Sequence, residues 1–206
     1  MRDAALHKRV LDLCYRNKTS HVGSCLSAAG IIDDVYSQRQ PGELFVLSCG
    51  HAGIALYAVL EKYEGQDAQA LYEAHGVHPS TDVKHGIVCS SGSLGCGLAI
   101  ACGIALANPD SMVRCLISDG ECAEGIVWEA LAFMSTHPLD NLTVIVNSNG
   151  FGATREIDYI ELTRRLGAFS CNVFCYRTEA RIPGVCDGLE AHYHVLTENE
   201  YAAALC

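Results

Sequence analysis

The chain has 206 residues, half of them hydrophobic and only 18 % charged, which suits one large α/β domain with a fully buried core rather than two small ones. Its formal charge of −10 opposes any general affinity for nucleic acid or an anionic membrane surface. The longest apolar stretch, GLAIACGIALA, covers 11 residues and cannot span a bilayer, and the N-terminal MRDAALHKRVLDLCYR carries charges where a signal peptide has its apolar core, so a soluble, cytoplasmic protein is expected.

In chain order, Leu6, Val10 and Leu13 set an apolar face at helical spacing for an opening helix. SAAGIIDDVYSQ predicts a second helix, capped by Ser27. ELFVLSCG reads as a short buried strand ending in glycine, followed by a helix over HAGIALYAVLEKY. HGIVCSSGSLG repeats strand and glycine-rich turn before the small-residue helix CGLAIACGIALA. MVRCLISDG, the helix AEGIVWEALAFMS and the strand NLTVIVNSNG then form a βαβ unit. After Phe151 the pattern weakens: ELTRRLGAF and CNVFCYRT predict one more helix and strand before an irregular tail. The expected fold is a three-layer αβα sandwich around a mainly parallel sheet, one domain over 1–206 with a shortened part after about residue 151.

Twelve cysteines without a CxxC pair read as small core fillers in a reducing compartment; Cys171 and Cys175 lie four apart, without the second pair a zinc site would need. GCGLAI lacks the third glycine of a dinucleotide fingerprint, and no acidic residue closes a second strand about twenty residues on.

In parallel sheets ligands bind at the carboxyl ends of the strands, and the unusual residues fall there: near His51, at SSGSLG, at Asp119 and at NSNG. Asp119 and Asn149 lie 30 residues apart, one crossover, so both can face one crevice. A carboxylate and an amide oxygen, joined by the Phe151 carbonyl, form an oxygen-only ligand set suited to Mg2+, which completes its shell with water and phosphate. Taken singly, each has an ordinary use: Asp119 as a helix cap, Asn149 in a turn.

These segments together resemble the transketolase family. SDGECAEGIVWEALAF followed by DNLTVIVNSNGFG is similar to its thiamine diphosphate motif, and SHVGSCLS, LSCGHAGIALYAVL, GVHP and SGSLGCGL are similar, in the family's order, to its three histidine loops and its Gly-Pro-Leu-Gly turn. The resemblance implies thiamine diphosphate with Mg2+, or Ca2+ in its place. It makes Asp119, Asn149 and Phe151 the metal ligands, Ser118, Gly120 and Glu121 part of the cofactor motif, Gly92 and Leu94 backbone contacts to the thiamine, and His51 a diphosphate contact. His21 and His78 would face substrate hydroxyls, with His192, or else His194, as the late active-site histidine. Glu124 and Glu129 match two glutamates that connect paired active sites across a dimer.

Three departures stand out: Ser118 for the motif's first glycine, Ser93 for the proline of the turn, and only 55 residues after Phe151, where the family continues into a further αβ unit and a pyrimidine-binding domain. The expectation is the N-terminal subunit of a split transketolase. It would transfer a two-carbon ketol unit between sugar phosphates with a separate pyrimidine-binding subunit, the chain itself forming a homodimer within an α2β2 assembly. The alternatives are a non-catalytic or regulatory protein that binds thiamine diphosphate and Mg2+, and a deoxyxylulose-phosphate synthase-like enzyme.

Overall fold

The structure, a computed structural model, describes residues 3–152, 155–169 and 172–205; Cys171 of the Cys171/Cys175 pair lies outside the described residues. Asp3 caps the first helix, α1 (Ala4–Arg16), by accepting from the backbone N–H groups of Ala5 and Leu6, and Leu6, Val10 and Leu13 are buried as their spacing predicts. There follow α2 (Val22–Gln38), β1 (Leu44–Leu47), α3 (Gly53–Glu64), α4 (Ala68–His75), α5 (Cys96–Ala107), β2 (Val113–Ser118), α6 (Gly125–Thr136) and β3 (Leu142–Ser148). The remainder holds α7 (Tyr159–Leu166), β4 (Val173–Arg177), the short pair β5 (Arg181–Ile182) and β6 (Cys186–Asp187), α8 (Glu190–Tyr193) and α9 (Glu198–Ala204).

The main sheet is parallel throughout, in the order β1-β2-β3-β4, with Leu44 opposite Val113, Val113 opposite Leu142 and Val144 opposite Val173. Side chains alternate across it. Phe45, Leu47, Leu116 and Ile145 join the core under α1, α2 and α3, while Val46, Cys115, Ile117, Val144 and Val146 join a second core with Leu98 of α5, Leu131 of α6 and Leu162 of α7. Two apolar faces, each roofed by helices, make the αβα sandwich that the near-continuous apolar strands require. The described cysteines are all free, and most are buried within these cores.

Three expectations are corrected. HGIVCSSGSLG is not a strand. Beyond one isolated bridge, Asp82 with Ile87, this segment bonds to its own neighbourhood and not to the sheet: Ser91 N–H donates to the Pro79 carbonyl at 2.9 Å and Ser90 Oγ accepts from Thr81 N–H at 2.9 Å. The fourth strand is instead β4, so the sheet's carboxyl edge meets a loop where a strand end was expected. The second helix starts at Val22, not after Ser27, because His21 N–H is already bonded to the His192 carbonyl at 2.7 Å and starts the helix there; Ser27 lies inside it, accepting from Asn147 Nδ2 at 2.9 Å. The tail is not irregular either, since β5 and α8 fold back against α2, β6 pairs with β5 and α9 packs on α1, with Ala191 and Ile182 in the first core.

Gly97 carries the contact between α5 and β1. A Cβ there would stand 2.6 Å from the Ser48 Cα, a distance no relaxed side chain tolerates. Gly97→Ala is expected to lower unfolding free energy by about 1–3 kcal/mol, read from urea denaturation, because backbone rather than a flexible side chain must move; a shift within error would show that α5 and β1 are not in this close contact.

Candidate active site

The carboxyl ends of β1, β2 and β3 open onto one cavity of about 240 Å3. Four histidines line it, each from a different part of the chain: His21 before α2, His51 in the turn after β1, His78 after α4 and His192 in α8. Opposite them are Gly92 and Leu94 from the loop before α5, Ser118 and Gly120 from the end of β2, and Asn149 and Phe151 from the end of β3. Gly92 has φ +121°, a conformation that residues with a side chain rarely adopt, and it lies beside His78, whose ring a Cβ would touch at 3.5 Å.

The histidine cluster is dense. The His21 ring lies 5.3 Å from His51 and 6.5 Å from His192, and Phe151 meets His192 edge-on at 6.4 Å between centroids. Burial, then the nearby His21, His192 and His78, pushes the His51 pKa down to about 3; burial and then His21 pushes His192 to about 4; burial and then His78 lowers His21. These three rings are therefore neutral near pH 7, each with one donor and one acceptor nitrogen. His192 Nδ1 is engaged by Ser24 Oγ at 2.5 Å, while His192 Nε2 and His21 Nδ1 are buried without a hydrogen-bond partner among the described residues. Buried polar atoms left open at a cavity suit a ligand bearing hydroxyl groups. His21 also has φ 64°, unusual for a residue with a side chain, and is held there by its bond to the His192 carbonyl.

Asp119 is 1 % exposed. Its oxygens accept from the N–H groups of Gly120 at 3.0 Å and Gly150 at 2.8 Å and from Ser148 Oγ at 3.4 Å, and no ion pair among the described residues reaches it. Burial raises its pKa to about 6 in spite of those bonds, as expected of a carboxylate without a cation. It sits beside the histidine cavity, opening toward a neighbouring one with Cys122, Trp128 and Arg155. Asn149 is 5 % exposed, and its Oδ1 accepts from Phe151 N–H at 3.1 Å with a lone pair to spare. Gly120, next to Asp119, lies close to the loop after β3: a Cβ there would be in contact with the Gly152 Cα at 3.4 Å and the Phe151 oxygen at 3.8 Å. A buried carboxylate without an ion pair, an amide oxygen and a carbonyl in these neighbouring loops fit a divalent cation.

Glu121 is not brought to the cavity. Wholly buried, its Oε1 accepts from Ser48 Oγ at 2.6 Å and Gly95 N–H at 2.8 Å, and its Oε2 from Ser118 N–H at 2.8 Å, so it braces the loops from behind. Glu124 and Glu129 are exposed on and beside α6. His194 faces Glu200 at 3.0 Å, away from the cavity, which leaves His192 as the tail histidine that enters it. Ser24, Gly152 and Tyr193 were not expected; Ser24 meets a histidine 168 positions away, a pairing with no local signal.

Fold and site together define an α/β domain that presents neutral histidines, glycine turns and a buried carboxylate at the carboxyl edge of a parallel sheet. The family described as transketolase, thiamine diphosphate binding domain, matches residues 5–180, and the chain belongs to that family. It is 36 % identical over 155 residues to transketolase-like protein 2 of Bos taurus, covering 65 % of this chain and 25 % of that protein. It is 30 % identical over 191 residues to one of the subunits of the apulose-4-phosphate transketolase of Phocaeicola vulgatus, covering 81 % and 67 %. The chain thus spans about a quarter of the mammalian relative and two thirds of the bacterial one. In fold it is similar to the transketolase of Leishmania mexicana, with TM-score 0.80 and 20 % identity over 98 % of this chain and 40 % of that one. Among the described residues, no helix is long and apolar enough to cross a membrane.

His51 makes folding sensitive to acid. The unfolded chain protonates it near pH 6.5 and the folded chain only near 3, so its contribution is complete above 6.5 and is lost as pH falls toward 3. At pH 5 the loss from this ring is on the order of 2 kcal/mol. Urea unfolding at pH 7 and pH 5 should show wild type losing more stability than His51→Gln; equal losses would mean that the ring is not desolvated.

Proposed function

We propose that this chain is the diphosphate-binding component of a two-part transketolase, transferring a two-carbon ketol unit between ketose and aldose phosphates. The observation that carries this reading is the convergence of His21, His51, His78 and His192 on one cavity with the Gly92, Asp119 and Asn149 loops. Asp119, Asn149 Oδ1 and the Phe151 carbonyl would hold Mg2+, or Ca2+ in its place, against the diphosphate, with His51, Ser118 and Gly120 beside it and Gly92 and Leu94 along the thiamine. Thiamine diphosphate, when bound, supplies the electron sink that C–C bond cleavage needs.

The protein's own part is positioning and proton management. Neutral His21 and His192 have open ring nitrogens with which to orient substrate hydroxyls, and His78, exposed at the cavity mouth, can exchange protons with solvent. A separate pyrimidine-binding subunit is supported by the likeness to the Phocaeicola vulgatus protein, which is itself named for one component of a transketolase built from more than one chain. A homodimer through α5 and α6, within an α2β2 assembly, is supported by the exposed apolar Ile100 and Leu106 on α5, which packs on α6, and by the exposed Glu124 and Glu129 beside and on α6.

Calorimetric titration tests the cation. In the complex with the pyrimidine-binding subunit, Asp119→Ala and Asn149→Ala should each abolish Mg2+-dependent binding of thiamine diphosphate while the fold persists; unchanged affinity in Asp119→Ala overturns the metal assignment.

A ketol-transfer assay tests the activity and the partner. The isolated chain with cofactor, Mg2+ and a ketose phosphate should be inactive, and the reconstituted assembly active. His78→Ala should lower turnover of that assembly by about 10²- to 10⁴-fold with little change in cofactor affinity. Robust turnover by the isolated chain would overturn the two-part reading; an inactive assembly that still binds cofactor would overturn transketolase activity.

A further inference from the structure

We propose that Cys186, Glu190 and His194 bind a divalent transition metal ion of the zinc class, at a second site that clips the tail of the chain together. One donor atom from each of the three lies within 4.8 Å of the others. Zinc ligands 2.0–2.3 Å from a common tetrahedral ion stand roughly 3.3–3.8 Å apart, so the cluster closes on an ion by side-chain rotation alone.

The backbone already holds the donors together. His194 N–H donates to the Glu190 carbonyl at 2.9 Å, closing the single turn of α8 and bringing two donors four residues apart to the same end of it. Cys186 comes from β6, paired with β5 across a tight turn in which Val185 N–H donates to the Ile182 carbonyl at 3.0 Å. From α9, Glu200 sets Oε2 3.0 Å from His194 Nε2, and the same oxygen is fixed by Thr197 N–H at 2.9 Å and Thr197 Oγ1 at 2.7 Å. A carboxylate held against the ring is the usual companion of a metal-bound histidine, fixing its orientation and raising its basicity.

The chemistry of the set chooses the ion. Thiolate, imidazole and carboxylate together are too soft for Mg2+ and match zinc-class ions. Glu190 and Glu200 bring negative charge to the cluster, whereas the neighbouring Asp187 is paired with Arg181 at 3.2 Å. On metal binding the thiol proton passes to solvent, the thiolate binds the ion and the imidazole enters neutral. The oxygen-only set at Asp119 and Asn149 is separate and of different preference. Because His192 lies between Glu190 and His194, an ion here would fasten the segment that carries that ring into the histidine cavity.

The test uses metal-free full-length chain titrated with Co2+ and then Zn2+. One equivalent of Co2+ should produce a thiolate-to-metal charge-transfer band with the intense visible bands of a tetrahedral centre, and one equivalent of Zn2+ should abolish both. An ion at the oxygen-only site gives no thiolate band. Cys186→Ser should eliminate the charge-transfer band, and His194→Gln should weaken Zn2+ binding at least 10- to 100-fold, while Cys96→Ser keeps the wild-type spectrum. Zn2+ should also raise the unfolding temperature of wild type but not of His194→Gln, which decides the matter should Cys186→Ser fail to fold. No thiolate band in wild type at stoichiometric Co2+, or a band that survives Cys186→Ser, overturns the site.

Discussion

The buried carboxylate of Glu121 is the constraint on which the site depends. Its two oxygens hold the end of β1 through Ser48, the end of β2 through Ser118 and the start of α5 through Gly95, so one side chain sets the spacing of three loops that meet at the cavity. Burying a carboxylate costs several kcal/mol unless its lone pairs are filled, and burial raises the pKa of this group. Four donor contacts offset that cost only when all three loops are in place. The arrangement is therefore cooperative, and it leaves Asp119, two residues earlier, facing the opposite way with its charge uncompensated.

That contrast between two neighbouring acids organises the chemistry. Glu121 is satisfied by the protein and serves as scaffold; Asp119 has only backbone and hydroxyl donors and no ion pair among the described residues. The histidines follow the same logic. Burial and mutual proximity keep His21, His51 and His192 uncharged, and the open nitrogens of His21 and His192 remain available for hydrogen bonds in the cavity. The tail takes part directly, since the His192 carbonyl holds His21 in its strained conformation and Ala191 packs on Gly23, where a Cβ would stand 2.7 Å from the Ala191 Cβ.

The departures from the family pattern are absorbed locally. Ser118, standing where the motif's first glycine is expected, turns its hydroxyl to Glu121 Oε2 at 3.3 Å, adding one contact to the brace. Ser93, in place of the turn's proline, keeps the turn closed through its carbonyl, which accepts from Cys96 N–H at 3.2 Å. Neither substitution removes a polar group from the cavity wall.

The sequence by itself determined the elements whose periodicity is strong, namely α1, α5, α6 and the apolar strands β1, β2 and β3, because burial on both faces of a sheet leaves an uninterrupted apolar record. It also placed the glycine turns, Asp119 and Asn149, since strand ends and positive φ angles demand particular residues. Tertiary structure alone decided three things. The His85–Gly95 segment is bonded through Ser90 and Ser91 to Thr81 and Pro79 instead of joining the sheet, the early start of α2 is dictated by a carbonyl from residue 192, and the choice of His192 over His194 follows from Ser24 on a helix 168 positions away. Glu121 and Asp119 look alike in SDGE, yet one braces three loops and the other is left without a charged partner among the described residues. The difference lies in which hydrogen-bond donors surround each, and donors brought from distant loops leave no trace in local spacing.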